Sequence, residues 1–256
     1  MGQVTRILIT GSADGLGQLV AQELVTQGHE VVLHARNEQR AADALGAVPG
    51  ATAALVGDLA SIAETRDLAR QANESGRFDV VVHNAAVGYQ ERRSETVDGL
   101  EHVFAINALA PYLLTALIER PDRLIYLSSG MHEGGDVVLD DLQWVRRRWR
   151  GAQAYSDSKL HDVLLTFAVA RLWPDVLSNA VDPGWVPTKM GGRGAPGDLS
   201  QAHLTQVWLA TAPNTGSGGY YYHRRAHRTH PAASDRETQD AFLDACASLT
   251  GVRLPA

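Results

Sequence analysis

Cysteine is almost absent from the 256-residue chain, which contains only Cys246. A lone thiol can form no internal disulfide, and this fits a reducing compartment. Long apolar runs are also missing, since none approaches the roughly 20 residues that a membrane-spanning helix needs. The amino terminus lacks the charged and apolar segments of a secretory signal. The sequence therefore predicts a soluble, cytoplasmic protein without a membrane span.

Positive charge is in deficit, with 23 Lys and Arg against 29 Asp and Glu and a net charge of −6. A general nucleic-acid surface needs the opposite balance, so no nucleic-acid partner is expected. His223, His227 and His230 have a spacing that suits a metal site. No cysteine or carboxylate cluster accompanies them, and the sequence predicts no metal.

Seven short apolar segments have the composition of buried strands, and most are separated by helical patterns. These segments are Val4–Ile9, Glu30–Ala35, Thr52–Val56, Asp79–His83, Arg123–Leu127, Val176–Val181 and Gly218–Tyr222. The alternation predicts an α/β fold: a Rossmann-type doubly wound parallel sheet of about seven strands with helices on both faces. We see no repeat or linker and expect one domain, 1–256, with a C-terminal substrate loop or lid region at about 184–256.

Two helices are predicted in the C-terminal region. One is expected from about Ser200 to Ala210. The other should begin at Ser234, because Ser234 and Glu237 have the spacing of a capping box.

A glycine-rich turn, Thr10–Gly17, follows the first strand and opens a helical pattern. Glycines let the backbone approach a pyrophosphate, and the helix N-terminus adds amide donors and its dipole. The turn is either a purely structural one or a cofactor site. As a cofactor site it would be formed by Gly11, Ser12, Asp14, Gly15, Leu16 and Gly17.

Arg36 follows the second strand, where the adenosine ribose lies in such sheets. An arginine there suits a 2′-phosphate, so NADP(H) is favoured and NAD(H) remains possible. A solvated arginine is the alternative. Asp14 adds an unfavourable negative charge to the glycine turn, although it could cap the helix. Asp58 could accept a hydrogen bond from adenine or merely close a turn.

Tyr155 and Lys159 lie four residues apart in the helical run from Ala152 to Trp173. Residues at this spacing share a helix face. An ammonium beside a phenol lowers the phenol pKa from about 10, which makes Tyr155 a candidate general acid/base. Asn107 is a polar residue at a core-facing position of another helix, which Pro111 is expected to bend.

These motifs, together with Asp58-Leu59, Asn84-Ala85, Ser128-Ser129 and Pro183-Gly184, resemble the short-chain dehydrogenase/reductase family from residue 4 to about 222. The resemblance implies an NADP(H)-dependent oxidoreductase. It would transfer a hydride between nicotinamide and a ketone, an aldehyde or a secondary alcohol.

The resemblance also implies the roles of the site residues. Tyr155 would exchange the proton, Lys159 would lower its pKa and bind the ribose, and Ser129 would hold the substrate oxygen, with Ser128 as the runner-up. Asn107 would kink its helix and anchor a water in a proton relay. Further cofactor contacts would come from Leu59, Asn84, Ala85, Pro183, Gly184, Val186 and Thr188.

The chain departs from the family pattern at two places. His83-Asn84-Ala85-Ala86 replaces Asn-Asn-Ala-Gly, so the backbone beside the nicotinamide is more crowded. An insertion from His132 to Arg150 lengthens the spacing between Ser129 and Tyr155. This spacing resembles the retinol-dehydrogenase-like branch and implies a bulky apolar substrate. The insertion could also block the usual tetramer, so a monomer or homodimer is expected.

Aromatic residues beside the site leave alternatives open. Trp185, Met190 and the tyrosines 220–222 could line an apolar pocket, or the tyrosines could fill an edge strand. Arginines 146–148 and Arg150 alternate with Trp144 and Trp149. They could face a membrane or an anionic partner, but a solvated face with tryptophans packed beside the site is favoured.

Two other functions share parts of this pattern. One is a catalytically silent, cofactor-sensing regulator, which would have little reason to retain Ser, Tyr and Lys together. The other is a sugar-nucleotide epimerase or dehydratase, which also uses Tyr-x-x-x-Lys but resembles longer chains with a different glycine loop.

Overall fold

The computed structural model describes residues 4–89 and 92–255. One sheet has the strand order β3-β2-β1-β4-β5-β6-β7-β8. The first seven strands are parallel, as predicted. The strands are β1 (Arg6–Ile9), β2 (Glu30–Ala35), β3 (Ala53–Val56), β4 (Val80–His83), β5 (Arg123–Leu127), β6 (Leu177–Asp182), β7 (Gly219–Tyr222) and β8 (Arg225–Ala226).

The eighth strand is a short addition at the sheet edge. It runs antiparallel to β7 and lies between His223 and His227, beyond the last of the seven predicted strands. His223 and Arg224 both have positive φ angles, 48° and 60°. Two such residues form a tight hairpin that returns the chain beside β7.

Nine α-helices cover the sheet within the described residues. They are α1 (Gly15–Thr26), α2 (Glu38–Ala47), α3 (Ile62–Glu74), α4 (His102–Phe104), α5 (Ala110–Leu117), α6 (Gly151–Leu172), α7 (Leu199–Ala202), α8 (Leu204–Thr211) and α9 (Arg236–Thr250). None of these helices is long and apolar enough to cross a membrane.

Two helix predictions require correction. The helix expected at Ser200–Ala210 consists of α7 and α8, which are separated at His203. The predicted capping box is wrong: the N-cap is Asp235 instead of Ser234, and it accepts from the Thr238 amide at 3.0 Å, so α9 begins at Arg236.

Alternating residues along the strands supply two apolar cores, one on each face of the sheet. Ile7 and Ile9 of β1 pack in the cluster that includes side chains of α1, α2 and α8. Leu8 belongs to the opposite cluster, with side chains of α3, α5 and α6. Helices on both faces leave the carboxyl ends of the parallel strands as the open edge.

The inserted segment folds against α6. The Arg147 guanidinium lies between two buried carboxylates, 3.3 Å from Asp141 and 3.1 Å from Asp157. It also lies 3.9 Å from the centre of the buried Trp144 ring. The prediction of a solvated arginine face is therefore wrong for Arg147, because an ion pair this deep connects the insertion to the helix.

Candidate active site

The glycine turn after β1 is bonded to the end of β4. The Asn84 side-chain amide donates to the carbonyl oxygens of Thr10 and Gly11, both at 3.1 Å. The Thr10 hydroxyl accepts from the amides of Asn84 and Ala85 at 3.0 and 3.1 Å. The predicted cofactor residues of these two strands are thus brought together.

Close packing explains why the turn needs glycines. A Cβ on Gly17 would lie 2.4 Å from the Asn84 side-chain nitrogen and 2.5 Å from the Gly11 oxygen. Gly11 has a φ of +62°, and its Cβ would lie 2.7 Å from the Ala85 Cα. Side chains at either position would push the turn away from β4.

The N-terminus of α1 has the features of an anion site. Asp14 is the N-cap residue, but no side-chain cap bond satisfies the first turn in the part of the chain that the structure describes. The expected capping by Asp14 is therefore wrong. Its carboxylate instead accepts from Arg40 and Lys189, both at 2.8 Å. Free first-turn amides are what a pyrophosphate requires, so the turn fits a dinucleotide.

Two cations lie on the predicted adenosine side. Arg36 is exposed just after β2, and Arg40 lies one turn further on, in α2. Sequence reasoning missed Arg40, because its partner Asp14 lies 26 residues earlier in the chain and no local spacing connects the two. Asp58 accepts from the Ala60 amide at 2.9 Å, which is the turn-closing alternative. Leu59 beside it is buried.

A buried histidine supports the turn from β2. His34 Nδ1 accepts from the Gly11 amide at 2.9 Å, and Nε2 bonds the Gly57 oxygen at 2.8 Å. Burial lowers the pKa of His34, which keeps the ring neutral. No feature of the sequence indicates this role, because the histidine occurs inside an apolar strand pattern.

Tyr155 projects from α6 beside the end of β5. Its ring lies 6.0 Å from the Tyr89 ring, and the Ser129 side chain is close enough to influence its pKa. Burial raises the pKa of Tyr155, while the Lys159 charge and the Ser129 hydroxyl lower it less. The expected net lowering is thus wrong for this state of the protein, because desolvation of the phenolate outweighs the neighbouring cation.

Lys159 is fully buried next to Tyr155. Its Nζ lies 5.6 Å from the centre of the tyrosine ring. It donates to the Leu127 oxygen at 2.7 Å and to the Asp162 carboxylate at 2.9 Å. Sequence reasoning missed Asp162, which lies three residues after Lys159 on the same helix face. Burial raises the pKa of Asp162 to about 6 against the opposing effect of Lys159.

The two serines after β5 have different surroundings. Ser128 is buried, and its hydroxyl donates to the Lys159 backbone oxygen at 2.8 Å. Ser129 accepts from the Met131 amide at 3.2 Å and caps a 3₁₀ turn, Gly130–Gly134. The geometry therefore favours Ser129 as the serine that faces Tyr155.

Asn107 lies in a π-helical segment, Ala105–Leu109, that joins α4 to α5 just before Pro111. The predicted bend is thus a local widening of the helix. Asn107 bonds both the amide and the carbonyl of Val87, at 2.8 and 3.0 Å, and donates to the Ser158 hydroxyl at 3.1 Å. Its role in a proton relay stays a prediction.

The segment after β6 closes the other side of the site. The Gly184 amide donates to the Asp182 carboxylate at 2.7 Å, and φ of Gly184 is +79°. Pro183 precedes it, Val186 is buried, and the Thr188 hydroxyl accepts from the Gly191 amide at 3.1 Å.

Aromatic groups near the site divide into buried and accessible ones. Tyr220 is buried, and its hydroxyl donates to Asp182 at 3.2 Å, so it supports β6. Trp185 is 57% exposed. Met190 packs over Gly88, where a Cβ would approach its Cγ to 2.8 Å. The predicted histidine trio forms no metal cluster, and no other group of metal-ligating side chains does so within residues 4–89 and 92–255.

A doubly wound sheet with a glycine turn and a Ser, Tyr and Lys cluster at its open edge defines an oxidoreductase of the Rossmann type. The family model described as short chain dehydrogenase matches residues 5–196. An uncharacterized oxidoreductase of Emericella nidulans is 45% identical over 98% of this chain and 99% of its own length. The chain belongs to the short chain dehydrogenase family, whose members act on alcohol and carbonyl groups.

Two further comparisons bear on the branch and the fold. Human retinol dehydrogenase 13 is 30% identical over 98% of this chain and 86% of its own length. This confirms the resemblance to the retinol-dehydrogenase-like branch. A solved structure of an uncharacterized protein from Mycobacterium paratuberculosis has a TM-score of 0.87 and 24% identity over 100% of both chains.

Proposed function

We propose that the protein is an NADP(H)-dependent oxidoreductase that interconverts a bulky apolar ketone or aldehyde and its alcohol. The observation that carries this proposal is the placement of Tyr155, Ser129 and Lys159 together at the end of β5. They lie at the same edge of the sheet as the uncapped N-terminus of α1.

The proposed mechanism assigns one task to each side chain. A bound nicotinamide cofactor would supply or take up the hydride. Ser129 and Tyr155 donate hydrogen bonds to the substrate oxygen, and Tyr155 gives its proton during reduction or takes it up during oxidation. Lys159 favours the phenolate, which is left when Tyr155 gives its proton in reduction and is the base that takes up the proton in oxidation. Burial of Tyr155 excludes water from the proton transfer.

The cofactor preference rests on the charges beside α2. Arg36 lies just after β2, on the predicted adenosine side, and Arg is the residue best suited to bind a 2′-phosphate, whereas Arg40 is paired with Asp14. Asp14 is already compensated by Arg40 and Lys189, so it does not argue against NADP(H). NAD(H) is the second choice.

The substrate class rests on the groups around Tyr155. Tyr89, Trp185 and Met190 offer apolar surface near the proton donor. The name of the relative retinol dehydrogenase 13 refers to an apolar substrate, which supports the same class. A single domain over 1–256, a cytoplasmic location and a monomeric or homodimeric state remain predictions from the sequence.

The first test is oxidation of NADPH and NADH with a panel of apolar ketones and aldehydes, with Tyr155→Phe beside the wild type. We expect turnover with NADPH and a loss of at least about 100-fold in the variant, because general acid catalysis contributes that much. Small hydrophilic carbonyls as the sole substrates would contradict the substrate class. NADPH binding without turnover of any carbonyl would favour the cofactor-sensing regulator.

A further inference from the structure

Asp162 is a buried charge that the proposed mechanism does not use. Its side chain is 3% exposed, and its carboxylate is 2.9 Å from the Lys159 ammonium, which is 2% exposed. An isolated ionised carboxylate this deep would be very costly, so the two groups depend on each other for charge compensation. The cation beside Tyr155 is therefore one member of a buried Lys159–Asp162 ion pair, and not a lone lysine.

The hydrogen bonds of Lys159 fix the direction of its ammonium group. An ammonium has three N–H donors. One donates to the Leu127 oxygen and one to Asp162, which leaves one for the side of Tyr155. The backbone is fixed as well, because Ser128 donates to the Lys159 oxygen at 2.8 Å and Thr166 donates to the Asp162 oxygen at 2.7 Å.

The carboxylate also acts on Tyr155 through its charge. Lys159 favours the phenolate, whereas Asp162 and Asp182 both disfavour it. Besides the pair itself, the titratable groups near this region include Tyr89 after β4, Tyr126 of β5, Asp182 of β6, Tyr220 of β7, and His132 and Glu133 of the 130–134 turn. Among these neighbours of Tyr155, Asp162 is the acid that contacts Lys159 directly.

We propose that Asp162 is a positioning residue that fixes the Lys159 ammonium toward Tyr155 and offsets part of its charge. This inference rests on the proposed function, because it concerns how the same acid/base pair is tuned. The offset keeps the Tyr155 hydroxyl protonated to higher pH, which favours the proton-donating direction, carbonyl reduction.

The test is the pH dependence of kcat for alcohol oxidation, which requires the phenolate. Asp162→Asn keeps an acceptor for Lys159 but removes the negative charge. We expect the pH of half-maximal kcat to fall by about one unit, because a like charge close to the phenol no longer opposes its ionisation. Asp162→Glu retains the charge and should keep the profile of the wild type.

Asp157→Asn is the matched control. Asp157 is also a buried acid of α6, but it pairs with Arg147 of the insertion. It is not among the groups with the largest effects on the pKa of Tyr155. Asp157→Asn should leave the pH of half-maximal kcat unchanged even if it lowers thermal stability.

An Asp162→Asn profile that stays in place or moves to higher pH overturns the inference. If this variant does not fold, Asp162→Ser, which is also neutral and smaller, is measured in the same way with the same criterion. Absence of turnover in the wild type, or full activity of Tyr155→Phe, would instead refute the proposed function. The two failures are therefore distinguishable.

Discussion

His161 lies on α6 between two phenylalanines, stacked on Phe242 at 4.9 Å and edge-on to Phe104 at 5.8 Å. Neither ring nitrogen has a hydrogen-bond partner among the described residues. Burial lowers its pKa to about 3, and burial does the same to His83. Both rings are therefore neutral in the folded protein, whereas an unfolded histidine titrates near 6.5.

This difference in histidine pKa between the folded and the unfolded protein makes the stability of the fold sensitive to acid. A depressed folded pKa contributes stability above about pH 6.5, and that stability is lost as the pH falls toward 3. His161→Phe should remove one of the acid-sensitive groups, and phenylalanine suits the aromatic surroundings. We expect a smaller drop in Tm between pH 7.5 and pH 5 than in the wild type, measured by thermal unfolding.

His227→Phe is the control for this prediction, since His227 is exposed. It should leave the difference in Tm between the two pH values unchanged. An equal drop in the wild type and His161→Phe would show that the acid sensitivity lies elsewhere.

Single residues also show which features of the site could be predicted from the sequence. The spacing of Tyr155 and Lys159 predicted a shared face, and the structure confirms that they lie together. The predicted direction of the Tyr155 pKa shift was wrong, because the spacing of residues does not reveal how deeply a side chain is buried. Asp162 was overlooked, although its position three residues after Lys159 was visible.

At the scale of elements, the glycine turn and α1 form the best-predicted unit. The order of strand, turn and helix indicated an anion site, and the uncapped N-terminus of α1 has that geometry. The sequence did not distinguish the glycines from one another. Gly17 must be glycine because α1 packs against Asn84, whereas Gly15 has open space around it and is favoured as glycine by its φ of +57°.

Gly17→Ala should therefore disrupt the turn. The added carbon would overlap the Asn84 side chain and the Gly11 carbonyl, so the helix or β4 must shift. We expect destabilisation of about 1–3 kcal/mol from overpacking and loss of NADPH binding, measured by thermal unfolding with and without NADPH.

Gly46→Ala is the matched control for that change. Gly46 lies near the end of α2, and a Cβ there would have nothing within 4 Å. Alanine in a helix is favoured over glycine by up to about 1 kcal/mol, so Tm should rise slightly. Equal NADPH binding by Gly17→Ala and Gly46→Ala would contradict the role assigned to the turn.

At the scale of the whole molecule, the candidate site is assembled from segments distant in the chain. Asp14 of the glycine turn is bridged to Lys189, which lies 175 positions later. Ligands that bind only the folded state stabilise it by a free energy that grows with the logarithm of their concentration divided by Kd, about 2.7 kcal/mol at 100 Kd. NADPH should therefore raise the Tm of the entire domain.

Arg36→Ala should reduce the NADPH-dependent rise in Tm but not the smaller rise expected with NADH. Charge-assisted hydrogen bonds contribute about 1.5–3 kcal/mol, which corresponds to roughly 10- to 100-fold in Kd. Isothermal titration calorimetry gives the Kd of the wild type and of Arg36→Ala for each cofactor, and hence the fold-change for NADPH and for NADH. Equal losses for NADPH and NADH would show that Arg36 does not contact a 2′-phosphate.

The sequence by itself determined the local features of this protein: its strands, its glycine turn, the shared face of Tyr155 and Lys159, and the family. These depend on residues close together in the chain, whose spacing fixes their geometry. Tertiary structure alone decided the pairing of Asp14 with Arg40 and Lys189, the connection of Arg147 to α6, and the raised pKa of Tyr155. These depend on burial and on charges brought together from distant segments, and neither follows from sequence spacing.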